Sequence, residues 1–324
     1  MQIDIYDLLY GKYKIDKPIR LIELFGGYGS QALALKYLGV KYESYKLCEW
    51  AIKSIQAYKD IHFTNDNTDY SKDYTKKEII DYLFNLGISS NYNDPMKLDQ
   101  IKRFKEDKLR NIYNNIKTTH NLVNIQQVHG KDFKIVDKDK YEYIMTYSFP
   151  CQDLSLAGKR AGMEKDSGTR SGMLWEVERI LNECKNINSL PQILLMENVP
   201  QVHGTGNEES FNYWCNKLES LGYKNYWKDL VATDYGIPQT RNRTFMISIL
   251  GEYKYSFPEP IPLKLKLKDM LENNVDEKYF ISDKMIKYCM SSSSGGWDRS
   301  INFLKKLDDT NIAATLTTTN GYRA

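Results

Sequence analysis

The sequence predicts an α/β protein built on a doubly wound, mostly parallel sheet. Two observations carry this prediction. Apolar runs of strand length alternate with helical patterns, and Gly-rich or polar residues follow the ends of several runs. Such alternation places helices on both faces of a parallel sheet. At 324 residues the chain is long enough for one such domain and a smaller second domain.

The first elements follow in the order strand, helix, strand, helix. A strand is predicted over residues 19–25 and is followed by a turn with three glycines. A helix over 31–38 stops at Gly39, because glycine suits the position after a helix. The second strand is predicted over 42–50 and the second helix over 51–62.

Residues 63–120 differ from their surroundings, being rich in Asn, Asp, Lys and Tyr. Helices are predicted over 76–86 and 98–117, the second with an apolar stripe and a basic opposite face. That basic face fits a solvated surface better than an arm that binds nucleic acid. We interpret 63–120 as an insertion in the larger domain.

The alternation resumes after this segment. Strands are predicted over 141–149, 192–199, 226–232 and 244–250, with helices over 173–184 and 211–221. Beyond Gly251 the pattern changes to prolines and short alternating pieces. This change predicts a domain boundary between 251 and 260.

Composition excludes several classes of protein. Hydrophobic residues make up 41%, the net charge is +3, and no apolar stretch is long enough to cross a membrane. The five cysteines are dispersed and form no metal-ligand spacing, which argues against a disulfide framework and a zinc site. The first ten residues do not resemble a signal peptide. The sequence therefore predicts a cytoplasmic protein with no metal and no membrane partner.

Cys151 is the candidate nucleophile. It follows an apolar run at Pro150-Cys151-Gln152 and precedes a loop of small and charged residues over 153–172. Ligands bind outside the carboxyl ends of the strands in sheets of this type. A thiol at that position can therefore meet a substrate.

The first loop and the second strand together indicate an adenosine-containing cofactor. Gly26, Gly27 and Gly29 allow backbone N–H groups to approach a ligand, although a Gly-rich turn alone is a weak signal. Glu49, about twenty residues further on, is placed to accept hydrogen bonds from ribose hydroxyls. Trp50 offers a flat face for adenine, and the glycine spacing does not favour a nicotinamide or flavin cofactor.

Two further groups of polar residues lie at strand ends. Glu197 ends the apolar run over 192–199, so we expect it at the same edge as Cys151. Residue alternation places Gln239, Arg241 and Arg243 on one side of the segment before the last strand. Taken alone, Glu197 reads as a strand-end cap and the arginines as a surface ion-pair cluster.

In combination, these blocks resemble the DNA cytosine-5 methyltransferases. The matching segments are Glu23-Leu24-Phe25-Gly26-Gly27-Tyr28-Gly29, Glu49-Trp50, Phe149-Pro150-Cys151-Gln152, Glu197-Asn198-Val199 and Gln239-x-Arg241-x-Arg243, in the order found in that family. Each block is weak by itself, but five in sequence are specific. The resemblance spans about residues 19–250 and implies a Rossmann-like methyltransferase fold that depends on S-adenosylmethionine.

The resemblance implies a role for each matched residue. Phe25 and the glycines would hold S-adenosylmethionine, with its ribose on Glu49 and its adenine on Trp50. Cys151 would attack carbon 6 of a cytosine swung out of double-stranded DNA, and Glu197 would contact ring nitrogen 3. The remaining implied site residues are Arg241 and Arg243 at the base, and Asn124 and Leu174 at the cofactor pocket.

The chain also departs from the family pattern. The family usually has an acid where Asn124 is the best local candidate, and its last two blocks do not occur before Ala324. Residues 1–250 would form the catalytic methyltransferase domain and 251–324 a partial target-recognition domain. Two alternatives therefore stay open: an inactive or split subunit that needs a second polypeptide, and an RNA cytosine methyltransferase.

Overall fold

The fold comes from a computed structural model that describes residues 11–150, 171–290 and 312–313. Within them a six-stranded sheet has the order β2-β1-β3-β4-β6-β5. Strands β2, β1, β3 and β4 are parallel, and β6 pairs antiparallel with β4. The doubly wound, mostly parallel prediction is confirmed. The strands are β1 Ile19–Leu24, β2 Tyr42–Cys48, β3 Glu142–Tyr147, β4 Ile193–Asn198, β5 Tyr223–Val231 and β6 Asn242–Leu250.

Helices follow the strands as the alternation indicated. The described α-helices are α1 Ser30–Tyr37, α2 Ile52–His62, α3 Lys76–Asn85, α4 Leu98–Lys102, α5 Glu106–Thr118, α6 Leu174–Asn186, α7 Glu208–Ser220 and α8 Asp283–Met290. Among the helices described, none is long and apolar enough to span a bilayer.

The single helix predicted over 98–117 is instead two helices, α4 and α5. The helical conformation is interrupted between them, and Glu106 and Asp107 then occupy the first turn of α5. Acidic residues stabilise a helix N-terminus, so this pair starts a new helix inside the apolar stripe. Ile101 and Leu109 are both buried across the break, because the stripe continues from one helix to the next.

Two apolar clusters support the sheet and its neighbouring helices. The main cluster packs β1, β3 and β4 against α6 and α7, with Ile22, Met145 and Leu194 fully buried. The second cluster joins α2 to α3, α4 and α5, and includes Leu83 and Ile112. Segment 63–120 therefore has an apolar core of its own, which rests on α2.

The described chain divides into two compact units. One takes in the chain as far as Lys228 together with Thr244–Ser256, and the other contains Asp229–Arg243 and the chain from Phe257. Inside the second unit, Tyr235 pairs with Ile261. The domain limits drawn from composition at 250 and 251 stay a prediction.

Candidate active site

Strand register defines one row of residues at the carboxyl edge of the sheet. Leu24 pairs with Tyr147, and Tyr147 pairs with Met196. Phe25 and Glu197 each come one residue later, so both lie at the same edge of the sheet, on strands that are separated by β3. Strand spacing puts the β2 and β4 ends about 14 Å apart. Ligands of doubly wound sheets bind at such an edge.

The loop after β1 is tied to the end of β2. The Phe25 N–H donates to the Cys48 carbonyl at 2.8 Å, and the Gly27 N–H donates to Glu49 Oε2 at 3.0 Å. A Cβ at Gly26 would lie 2.4 Å from Leu47 Cδ1. A side chain at this position would displace Leu47, so glycine lets the loop backbone lie directly against β2.

Glu49 is a buried carboxyl at this edge. Its side chain accepts hydrogen bonds from the Ala51 N–H at 2.7 Å and from the Gly27 N–H. Burial raises the pKa of Glu49 to about 7, against the lowering effect of these backbone donors. A carboxyl held in this way can accept hydrogen bonds from hydroxyl groups of a ligand.

Asn121, which sequence reasoning missed, holds Glu49 in place. Its Oδ1 accepts from the Glu49 N–H at 3.1 Å and from the Val123 N–H at 2.9 Å. Its Nδ2 donates to the Glu49 carbonyl at 2.8 Å. No motif or periodicity marks Asn121, because its importance depends on α5 returning the chain to the end of β2.

Trp50 and Asn124 lie on the two segments that Asn121 ties together. Trp50 is half-buried and packs against the second apolar cluster, which includes Val123. Asn124 is 5% exposed, and its Oδ1 accepts from the Gln126 N–H at 3.1 Å. Arg179 fixes the following turn by donating to the Ile125 carbonyl at 3.0 Å.

A second buried carboxyl, Glu23, lies under the glycine-containing loop that follows β1 and links α1 to α2 through hydrogen bonds. Its oxygens accept from the Tyr58 hydroxyl at 2.5 Å and from the Ala32 N–H at 3.3 Å. Burial raises the pKa of Glu23 to about 7, while the Tyr58 and Ala32 hydrogen bonds lower it. Sequence reasoning included Glu23 only as part of a motif and gave it no role.

Gly29, at the end of this loop, lies against the side chains of Tyr58 and His62. Gly29 has φ +82, and a Cβ there would lie 2.4 Å from His62 Nε2. That nitrogen donates to the Tyr28 carbonyl at 2.9 Å, since a carbonyl only accepts. The His62 ring packs against the Tyr58 ring in a tilted arrangement, with centroids 4.5 Å apart. The start of α1 is therefore fixed from two sides.

The ends of β3 and β4 are joined by Asn198. Its Nδ2 donates to the Phe149 carbonyl at 3.1 Å, and its Oδ1 accepts from the Val199 N–H at 2.8 Å. Asn198 is buried, whereas Glu197 beside it is half-buried and lies opposite Phe245 on β6. Asn198 fixes the backbone two residues before Cys151.

The remaining predicted site residues lie in the core, in the second unit or outside the described residues. Leu174 begins α6 and is fully buried in the main cluster. Cys151 and residues 153–170 of the predicted loop over 153–172 lie outside the described residues. Arg241 and Arg243 belong to the second unit, where the Arg241 carbonyl accepts from the Ala232 N–H at 2.9 Å. Their role beside the base stays a prediction.

Other thiols that the structure describes do not suit nucleophilic chemistry. Cys48, Cys184 and Cys215 carry no disulfide. Burial raises the pKa of Cys184 and of Cys215 to about 11, and that of Cys48 further still. All three stay protonated near neutral pH. Within the described ranges, no group of three His, Cys, Asp or Glu side chains could hold a metal ion.

The chain matches a known protein family and is similar to named methyltransferases. Residues 101–321 match the family described as C-5 cytosine-specific DNA methylase. The chain is 40% identical over 276 residues to the orphan methyltransferase M.SssI of Spiroplasma monobiae, covering 84% of this chain and 69% of that protein. It is 37% identical over 287 residues to the type II methyltransferase M2.ScrFI of Lactococcus lactis subsp. cremoris, covering 85% and 76%.

A solved structure supports the fold independently. The Entamoeba histolytica methyltransferase EhMeth superposes with a TM-score of 0.52 at 15% identity, covering 86% of this chain and 68% of that one. The resemblance drawn from the five sequence blocks is confirmed. By its sequence match and its relatives, the chain belongs to the C-5 cytosine-specific DNA methylases.

Proposed function

We propose that this enzyme transfers a methyl group from S-adenosylmethionine to carbon 5 of a cytosine swung out of double-stranded DNA, through a covalent adduct of Cys151. The observation that carries the proposal is the shared edge of β2, β1, β3 and β4. Along this edge lie Glu49, Phe25 and Glu197. Cys151 follows the end of β3 in the sequence. The family membership makes DNA cytosine the expected substrate.

The residues at the β1 and β2 ends fit S-adenosylmethionine. Gly26 lets the loop pack directly against β2, and the space around a Cβ built on Gly27 is open, so a ligand can approach the loop backbone there. Glu49 is oriented by backbone N–H groups and by Asn121, and it would bind the ribose. Trp50 and Asn124 would border the adenine, and Leu174 would support the pocket from the core. The cofactor supplies an electrophilic methyl group.

The protein's own groups carry the chemistry on the base. The Cys151 thiolate forms a bond to carbon 6, and the electrons of the carbon 5–carbon 6 double bond move through the ring. Glu197 donates a proton to ring nitrogen 3, so carbon 5 becomes nucleophilic without a full negative charge on the base. After methylation, loss of the carbon 5 proton and departure of Cys151 restore the double bond.

Some of the relatives are type II methyltransferases. This favours the interpretation that the chain is the modification enzyme of a restriction-modification system, or a phage homologue of one. Duplex DNA is then the partner, and the enzyme would work in the cytoplasm. Extracting a base costs a few kcal/mol of unstacking, which DNA contacts must offset. Arg241 and Arg243 are proposed to hold the base.

Bisulfite sequencing of duplex DNA exposed to the purified chain tests the proposal. We expect methylation at cytosines in one short sequence context, and none without S-adenosylmethionine. Methyl incorporation into tRNA but not DNA would instead identify an RNA enzyme. Activity that appears only after a downstream polypeptide is added would identify a split enzyme.

A further inference from the structure

Residues 87–96, called the strap below, pair with the segment that follows Glu49. The Ser89 N–H donates to the Trp50 carbonyl at 2.8 Å, and the Ile52 N–H donates to the Ser89 carbonyl at 2.9 Å. Ser89 and Ala51 form a parallel bridge. The strap thus extends the backbone pairing next to the proposed adenine site, although it belongs to segment 63–120.

The strap is held in shape by its own hydrogen bonds. The buried Ser89 hydroxyl donates to the Asp94 carbonyl at 2.8 Å and accepts from the Tyr92 N–H at 3.1 Å. The Met96 N–H donates to the Ile88 carbonyl at 2.8 Å, which closes the strap at its base. The pairing with Trp50 therefore joins two ordered segments.

The start of the strap contacts Asn124. Gly87 follows the end of α3 with φ +67, and a Cβ there would lie 2.9 Å from Asn124 Nδ2. Asn124 Oδ1 accepts from the Gln126 N–H. This hydrogen bond fixes the orientation of the Asn124 amide, so that its Nδ2 atom lies on the side of Gly87. Within the described part of the chain, Nδ2 has no hydrogen-bond acceptor.

The orientation of Asn124 determines which ligand atom it can bind. An amide nitrogen only donates, and it therefore needs an acceptor with a lone pair. A ring nitrogen of adenine meets this requirement, whereas the exocyclic amine, which would pair with a carboxylate, does not. An asparagine in this orientation recognises a different edge of the adenine from an acid at the same position.

We propose that Gly87 is a positioning residue for cofactor binding. Its missing side chain leaves Asn124 Nδ2 free to donate to a ring nitrogen of the adenine, while Ser89 holds Trp50 beside it. This inference rests on the proposed S-adenosylmethionine site. It adds that segment 63–120 forms one wall of that site and sets its affinity for adenosine.

Two glycines of the chain form a matched pair for the test. Gly87 and Gly39 both follow a helix, and both have φ +67, but nothing lies within 4 Å of a Cβ built on Gly39. Alanine strains the backbone alike at both positions. Only Gly87→Ala also pushes against Asn124.

The measurements are the Kd for S-adenosylhomocysteine by calorimetry, the affinity for duplex DNA and the thermal unfolding of each full-length variant. We expect Gly87→Ala to weaken cofactor binding about tenfold, as expected for one lost hydrogen bond. Gly39→Ala should stay within about twofold, with similar unfolding and unchanged DNA affinity for both. Equal cofactor affinity of the two variants would overturn the inference.

Asn124→Asp tests the donor independently of backbone strain. The variant keeps the shape of the side chain and can still accept from Gln126, but it lacks the N–H donor. We expect binding about tenfold weaker than wild type. Equal or tighter binding would show that position 124 accepts from the exocyclic amine, against the inference. If the unmutated chain bound no S-adenosylhomocysteine, the proposed function would fail as well.

Discussion

A free cysteine has a pKa near 8.5, so only about 3% of it is thiolate at pH 7. Lowering that pKa by two units would raise the fraction to about 75%, roughly 24-fold. Intrinsic nucleophilicity would fall about 8-fold if the slope known for thiol exchange applies. The net gain for Cys151 is about 3-fold. Proton donation by Glu197 and alignment of the methyl group must therefore supply most of the acceleration.

We expect Cys151→Ser to abolish turnover, because a serine hydroxyl at neutral pH neither adds to carbon 6 nor leaves as readily as a thiolate. Cys215→Ser is the matched control, since its thiol is kept protonated by burial. Tritiated methyl incorporation into duplex DNA measures both variants. Equal losses in the two would refute the nucleophile assignment.

Glu197→Gln should lower kcat by about 10²–10⁴, the range that general acid catalysis contributes. The change keeps the size of the side chain and removes its proton. The Kd for S-adenosylhomocysteine should stay unchanged, because Glu197 lies on β4, beyond the β1 and β2 ends that bind the cofactor. Single-turnover kinetics with saturating DNA provide the measurement. A wild-type rate would exclude Glu197 as the acid.

At the scale of elements, the ends of β1, β2 and β4 are each fixed by a buried polar side chain. Glu23 supports the loop after β1, Asn121 holds the end of β2, and Asn198 joins the ends of β3 and β4. Buried polar groups are costly unless they are paired. These three are paired with backbone groups at the very edge where the chemistry is proposed. The site is thus organised before a ligand arrives.

The buried carboxyls make stability depend on pH. The pKa of Glu23 is raised to about 7 in the folded protein, against about 4.3 unfolded. Between these values the unfolded chain releases a proton that the folded protein keeps, so the free energy of unfolding falls as pH rises. The loss is about 3 kcal/mol at pH 7 and levels off above about pH 8. Glu49 adds a similar dependence.

Glu23→Gln should remove about half of this pH dependence. The Gln side chain can accept from the Ala32 N–H and donate to Tyr58, but it does not titrate. Urea unfolding at pH 5, 6, 7 and 8 measures the effect, with wild type as the reference. Parallel curves for the two proteins would contradict the burial assigned to Glu23.

At the scale of the whole molecule, the proposed cofactor residues lie where two apolar clusters meet. Cys48 and Ile125 pack in the main cluster, whereas Trp50 and Val123 pack in the second. The chain passes from one cluster to the other within two residues at each place. Folding of segment 63–120 and order at the adenine site should therefore be coupled.

Leu83→Ala and Leu194→Ala test whether the second cluster, with the adenine site on it, opens separately from the main cluster, because both side chains are fully buried but in different clusters. Each should cost about 2–5 kcal/mol. In hydrogen exchange, we expect Leu83→Ala to lose protection over α3, α5 and the strap while β3 and β4 stay protected. Leu194→Ala should show the reverse. Uniform loss in both variants would mean that the two clusters unfold as one.

The sequence alone determined the mostly parallel sheet and the order of its elements, and it predicted which residues at the strand ends carry the chemistry. Apolar runs, Gly turns and helix periodicity are local signals, and so is the position of Glu49 or Glu197 at the end of an apolar run. The break between α4 and α5 was missed because an apolar stripe can continue across two helices. A first-turn pair such as Glu106 and Asp107 marks that break.

Only the tertiary structure decided which residues hold the site in place. Asn121 lies 72 residues from the backbone that it binds, and Gly87 becomes important only because α3 ends beside Asn124. Such contacts join segments that are distant in the chain, and hydrogen bonds to backbone atoms leave no periodic trace in a sequence. Strand patterns are repeated along the chain, whereas each of these contacts occurs once and depends on packing.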